Sequence, residues 1–350
     1  MDGPAREEAE LQDWLVAQGA DPQRAAQAIA EGRTDALASD LTMMRGADLS
    51  ARDVAARAGV DLDKVLAFYY LAGVAVPDVD VRQFTESDAV LVSRLVTAVD
   101  VGIVRGDDLL RVIAGAMERI AEAAVAIYVQ GQEVDLRRRL AEPLECARSN
   151  AQATQLALDL GAGLAPFFRH HMRLALARQR VFQEGVSRRE MARLAVGFVD
   201  LVGSTALQAD LDPQQLGEQV DRFESRAFEV ITGGGGRLVK FIGDEIMVAV
   251  VDPVAACHIM ADLIEAFTDD GTQPRGGLVY GEVLFRHGDY YGPVVNLAAR
   301  LVDAAIPGEA LVDASVVEAV KDEALSFEGA GRRMIKGLAT PVPVWSLSAG

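Results

Sequence analysis

Three short stretches place polar residues where apolar runs end or turn. Asp200 closes the run LAVGFVDL (194–201) and is followed by Val202-Gly203-Ser204-Thr205. A carboxylate at the tip of a buried strand can bind a cation. The amides of Gly203, Ser204 and Thr205, opening toward a helix, suit phosphate oxygens. A helix-capping aspartate is the alternative. Asp244 lies in Phe241-Ile242-Gly243-Asp244-Glu245, where Gly-Asp is also an ordinary turn pair. If the two strands are neighbours, both carboxylates project from one sheet edge and can hold Mg²⁺ on a triphosphate. Lys240 sits inside the apolar segment LVKFI, so it either snorkels to water or has a partner. Asn296 and Arg300 are four residues apart and share a face of any helix there. Asp289 precedes Asn296 by seven residues, in the loop HGDYYG.

The elements that must carry these residues read in a definite order. A short apolar run from Leu194 to Leu201 is fit for a buried strand. A helical segment over about 213–232 follows, then four glycines and a hairpin over 237–251 turning at Gly243-Asp244. A second helix over about 253–267, strands near 276–284 and a helix over about 293–302 come next, ahead of a tail of short strands and one helix. The order βαββαβ predicts a split βαβ, ferredoxin-like sheet.

Residues 1 to about 190 read as helix after helix. Breaks fall at 19–22, 76–78, 106–108 and 161–163, and Thr85-Glu86-Ser87-Asp88 has capping-box spacing. Apolar residues from Leu109 to Tyr128 recur at helical steps and predict a buried stripe. The stretch 169–193 is charged and helix-prone, as a solvated connector is. The fold class expected is thus α+β and multidomain, with an all-α N-terminal domain.

The chain has 350 residues, 34 Lys+Arg and 52 Asp+Glu, for a net charge of -18. That balance argues against duplex DNA and anionic membranes as partners. Leu49 to Val60 looks locally like a helix-turn-helix, but residues 40–100 hold ten acidic and six basic side chains. Such a surface is wrong for phosphate contacts, so a packing motif is expected and no nucleic acid. Cys146 and Cys257 make no disulfide framework, and the start MDGPAREEAE is not a secretory signal. No apolar run approaches the roughly 20 residues of a membrane span. The expected location is cytoplasmic.

Taken together, FVDLVGST, GRLVKFIGDEIMV and GDYYGPVVNLAARL, in that order and spacing, resemble the class III nucleotidyl cyclase catalytic domain over about 193–348. The resemblance implies that Asp200 and Asp244 bind two metal ions, Mg²⁺ or Mn²⁺. It implies that Lys240 and Asp289 select adenine, Asn296 orients the ribose, and Arg300 stabilises the transition state at the α-phosphate. Lys336, in Met-Ile-Lys-Gly-Leu, resembles a lysine near the triphosphate tail; Arg286 falls where spacing varies in the family. The base assignment has independent physical support. Lys240 only donates and ionised Asp289 only accepts, which complements adenine N1 and its amino group and opposes guanine.

The implied activity is an adenylyl cyclase making 3′,5′-cyclic AMP and pyrophosphate from ATP. A non-catalytic ATP-binding module and a helix-turn-helix transcription regulator are the competing readings. In the family the metal aspartates and the base-reading residues come from different subunits, so a homodimer with shared sites is implied. The expected domains are a helical regulatory domain at 1–168, a connector at 169–192 and a catalytic domain at 193–350. The first half also resembles the regulatory domains of actinobacterial cyclases, for which pH and lipid are among the inputs. His170 and His171 in the connector are the candidate pH-responsive pair, or else two solvated histidines. The 109–128 stripe and Pro166-Phe167-Phe168 either line a fatty-acid pocket or form plain core.

Overall fold

Capping chemistry sets where the first helices begin. In the computed structural model, which describes residues 3–102, 106–139, 141–182, 191–202, 211–269 and 272–349, α1 (Gly3–Ala17) is followed by α2 (Pro22–Ala30). Asp21 caps α2 by accepting from the backbone N–H groups of Gln23 and Arg24 at 2.9 and 3.2 Å. Next come α3 (Thr34–Met43), α4 (Ala51–Ala58), α5 (Leu62–Leu71) and α6 (Glu86–Asp100). Reciprocal capping boxes, Ser50 with Asp53 and Thr85 with Asp88, open α4 and α6. The helix α7 (Gly106–Tyr128) continues through a π turn at Val129–Glu133 into α8 (Val134–Arg138). Two further helices, α9 (Pro143–Ala162) and α10 (Ala165–Phe182), complete the series. Among the described residues, no helix is long and apolar enough to cross a membrane.

The chain divides into two compact units, Met1–His170 and His171–Gly350. The first holds two small cores. Leu11, Leu15, Ala25 and Leu37 of α1–α3 close on Ala147 of α9. Val54, Val65, Phe68, Ala89 and Val92 of α4–α6 close on Leu110 of α7. The helix-turn-helix-like segment spends its apolar face in the second core, where Tyr69 stacks on Phe84 at 4.3 Å.

The 109–128 stripe is helical but is not a buried stripe. Leu110 is buried, whereas Leu109, Met117, Ile120 and Ile127 are 40, 45, 44 and 73% exposed. The reason is length. At about 1.5 Å per residue, α7 greatly outruns the ten-residue α5 beneath its first turns.

The second unit is built on one sheet. Its elements are β1 (Met191–Leu201), α11 (Pro213–Gly233), β2 (Arg237–Ile242), β3 (Glu245–Val250), α12 (Pro253–Asp269), β4 (Pro274–Arg286) and β5 (Asp289–Tyr291). They are followed by α13 (Pro293–Ala304), β6 (Ala310–Asp313), α14 (Ala314–Ala319), β7 (Leu325–Arg333) and β8 (Val342–Ala349). The strand order is β2-β3-β1-β4-β6-β8-β7, with β5 paired to β4. The first four strands are mutually antiparallel in the order β2-β3-β1-β4, the ferredoxin-like arrangement that the element order predicts. Alternation along β1 separates two cores. Ala195, Val199 and Leu201 face α11 and α12. Leu194, Val196 and Phe198 face α13, together with Ala298 and Leu301. Gly277 lets α13 lie close on β4, because a Cβ there would overlap the Ala298 carbonyl and crowd Leu301.

Candidate active site

The α13 side of the sheet collects most of the predicted residues. Asp200 ends β1 in register with Glu245 of β3 and Arg275 of β4. Asp244 occupies the two-residue turn between β2 and β3, directly before Glu245, so both aspartates stand at one end of adjacent strands. Arg275 donates from Nε and Nη2 to Asp200 Oδ2 at 3.0 and 2.6 Å. Both hydrogen bonds fall on that one carboxylate oxygen. Glu245 is pushed up to about 7 by burial and by the negative charges of Asp200, Asp303 and Asp244, against the opposing pull of Arg275. Asp200 and Asp244 offer only oxygen donors, a chemistry that suits Mg²⁺ or Mn²⁺. Among the described residues, no three His, Cys, Asp or Glu side chains gather closely enough to hold a metal ion by themselves.

A second group forms 40 residues further on. Lys240 lies just past a register shift in β2 and stands opposite Met247, a member of the α13-side core. The bulge lets Val239 pack into that core while the lysine ammonium emerges beside it. There Lys240 Nζ pairs with Asp289 Oδ2. Asp289 Oδ1 accepts from the backbone N–H of Tyr290 at 2.8 Å, so both carboxylate oxygens are engaged. The two residues singled out as a base-reading pair are thus in direct contact, although 49 residues separate them.

The third group is built on α13. Asn296 lies in its first turns and Arg300 one turn later. The Arg300 guanidinium covers Gly337, where a Cβ would lie 3.2 Å from Nη1 and 3.3 Å from Nη2. Gly337 has φ +81, in the left-handed region, and Leu338 N–H closes the turn on Ile335 O at 3.0 Å. Lys336 is exposed in this turn, which the buried Ile335 anchors. The structure therefore brings the Lys336 turn to Arg300. His170 and His171 are both exposed on α10. Gly203-Ser204-Thr205 lie outside the described residues.

Sequence reasoning missed Glu245 and Arg275. Glu245 follows Asp244 directly, but its place opposite Asp200 is a matter of strand register. Arg275 opens β4 as a lone cation before Gly276-Gly277, a signal available in the sequence but silent without its partner strand.

Antiparallel strands in the order β2-β3-β1-β4 carry Asp200 and Asp244 at one end, and Lys240 of β2 pairs with Asp289 at the β4–β5 hairpin. Among known proteins, the family described as adenylate and guanylate cyclase catalytic domain matches residues 186–348. The family described as adenylate cyclase regulatory domain matches residues 1–180. An uncharacterized protein of Mycobacterium tuberculosis is 34% identical over 98% of this chain and 90% of its own. The adenylate cyclase of Streptomyces coelicolor is 33% identical over 75% of this chain and 68% of its own. A pH-sensitive adenylate cyclase of M. tuberculosis is 29% identical over 100% and 90%. The chain belongs to the class III adenylate cyclases that carry an N-terminal regulatory domain.

Proposed function

We propose that two copies of this chain share active sites and convert ATP to 3′,5′-cyclic AMP and pyrophosphate. The observation that carries the reading is the Lys240–Asp289 pair, a donor and an acceptor already side by side. Their side chains are 42 and 23% exposed, so an incoming base can reach both. Lys240 then donates to adenine N1, and Asp289 accepts from the amino group. Guanine presents the reverse pattern and would leave both unpaired. Asn296 orients the ribose so that its 3′-oxygen faces the α-phosphorus. Arg300 meets the charge that develops on the α-phosphoryl oxygens, and Lys336 receives the triphosphate tail. Asp200 and Asp244 would hold two ions, Mg²⁺ or Mn²⁺, which would supply Lewis acidity to the reaction. Arg275 fixes one oxygen of Asp200 and so orients the other.

Within one chain Asp200 pairs with Arg275, Lys240 pairs with Asp289, and Arg300 lies at the Lys336 turn. A two-fold dimer that sets the first group of one copy against the others of its partner completes each site. The test is a mixture of Asp244→Ala and Arg300→Ala proteins, each inactive alone. Mixed dimers regain one intact site, so cyclic AMP formation returns to about a quarter of wild type per total protein for random exchange. No recovery despite proven subunit exchange overturns shared sites. Failure of the wild-type protein to form cyclic AMP from ATP with Mg²⁺ or Mn²⁺ overturns the activity.

The proposal extends to control. Residues 1–168 act as the regulatory domain, 169–192 as the connector and 193–350 as the catalytic domain, in the cytoplasm. Two inputs fit the helical unit. The first is pH, with the exposed pair His170 and His171 on α10 as the candidate sensor. An apolar cavity of about 240 Å³ lies between α5, α6 and the start of α7, lined by Phe68, Leu95, Val99, Leu109 and Ile113, with Lys64 at its edge. It is apolar enough for a fatty-acid chain, whose carboxylate would compete with Asp100 for Lys64, the two being paired at 3.0 Å. Phe167 and Phe168 stand apart from it and are 67 and 66% exposed. Replacing both histidines with Gln tests the first input through the activity profile from pH 5.5 to 8. Native mass spectrometry for retained lipid tests the second.

A further inference from the structure

Asp289 begins a strand of only three residues, β5, which pairs with β4 alone. Two-stranded hairpins are marginal by themselves in water. The turn at its tip is tight: His287 and Gly288 both have positive φ, +54 and +79. Something must tie this arm to β2 if Asp289 is to stay opposite Lys240. The burial of Tyr290 in the α13-side core holds the base of the arm. A side chain of β2 itself also reaches the tip.

Arg237 opens β2, three residues before Lys240. Its Nη1 donates to Tyr290 Oη at 3.1 Å, and its Nη2 donates to the Gly288 carbonyl at 2.6 Å. The guanidinium carbon lies 5.3 Å from the Tyr290 ring centroid and 5.9 Å from that of Phe285. One planar fork therefore grips the residues on both sides of Asp289 and rests on the strand behind it. A chain of contacts runs from Arg237 to Tyr290, through the Tyr290 N–H to Asp289 Oδ1, and from Oδ2 to Lys240.

We propose that Arg237 is a positioning residue for base selection: it locks the β4–β5 arm onto β2 and sets the separation of the Lys240 ammonium and the Asp289 carboxylate. Guanidinium geometry is required, because a lysine ammonium cannot fork to two acceptors while lying against two rings. The inference rests on the reading of Lys240 and Asp289 as the base-selecting pair.

The experiment measures kcat/KM for ATP and for GTP in full-length wild type, Arg237→Gln, Arg237→Lys and Asp289→Asn. Arg237→Gln is expected to lower the ATP-over-GTP ratio about tenfold, mainly through KM for ATP. Arg237→Lys is expected not to restore it. A purely structural role would lower both nucleotides equally, and an unchanged ratio overturns the proposal. Asp289→Asn separates the two failures. If it shifts the ratio while Arg237→Gln does not, the base-selecting pair stands and the role of Arg237 falls. If it leaves the ratio unchanged, the pair and the proposal fall together. Should Arg237→Gln not fold, Tyr290→Phe carries the same test. It removes only the hydroxyl acceptor and is expected to lower the ratio about threefold.

Discussion

The two units spend their apolar side chains differently. In the sheet unit, Ile246, Leu278, Leu301 and Leu311 are fully buried between layers. Each face of the sheet has its own cover, α11 and α12 on one side and α13 on the other. In the helical unit, Ile127, Leu156 and Phe167 lie at 73, 61 and 67% exposure, although each sits on a helix. An amphipathic pattern therefore specifies an element and its sticky face. It does not specify that the same chain supplies the cover. The site residues follow the same division: they lie on the sheet and on the helix packed against it, where neighbours fix their positions.

The largest expected effect is in the sheet unit. Arg300→Ala should lower kcat about 10²- to 10³-fold with KM for ATP within about threefold, because its partner charge develops only during reaction. Steady-state cyclic AMP formation checks this; a change confined to KM would assign Arg300 to ground-state binding instead. Next is a matched pair of core and surface substitutions. Leu301→Ala should cost about 2–5 kcal/mol, and Leu156→Ala no more than about 0.5 kcal/mol, as read by denaturant unfolding of dilute protein. Equal costs would erase the contrast between the units. A smaller effect is expected of Gly337→Ala, which adds a Cβ at φ +81 beneath the Arg300 guanidinium. It should lower kcat about tenfold with a stability loss of about 1 kcal/mol. The smallest concerns thiols. Burial pushes Cys257 up to about 12, so at pH 8 it should resist iodoacetamide in the native protein and react once the chain is unfolded. The raised value also means that stability contributed by the neutral thiol is lost as pH rises from about 9 toward 12.

Much of the sheet unit is legible from sequence because its signals are local. The apolar run before Asp200, the Gly243-Asp244 turn and the helical spacing of Asn296 and Arg300 each need only a few neighbouring residues. The capping boxes at Ser50 and Thr85 are legible for the same reason. Register is not local. Nothing near Arg275 announces Asp200, and nothing in the LVKFI segment announces the bulge that turns Lys240 toward Asp289. In the helical unit, the repeat of α7 gives the helix but not its exposure, because exposure depends on the lengths of the helices packed against it.

Residue types and their spacing determined the element order, the βαββαβ topology and the chemical inventory: two carboxylates at strand ends, a lone lysine in an apolar strand, and an Asn–Arg helix face. Those features follow from backbone periodicity and side-chain chemistry, which act over a few residues. Only the tertiary structure decided that Arg275 engages Asp200, that carboxylates crowd Glu245, that Gly337 underlies Arg300, and that Arg237 clasps the hairpin carrying Asp289. Each is a pairing between strands or turns far apart in sequence, and such pairings are set by which surfaces the whole chain can bury at once.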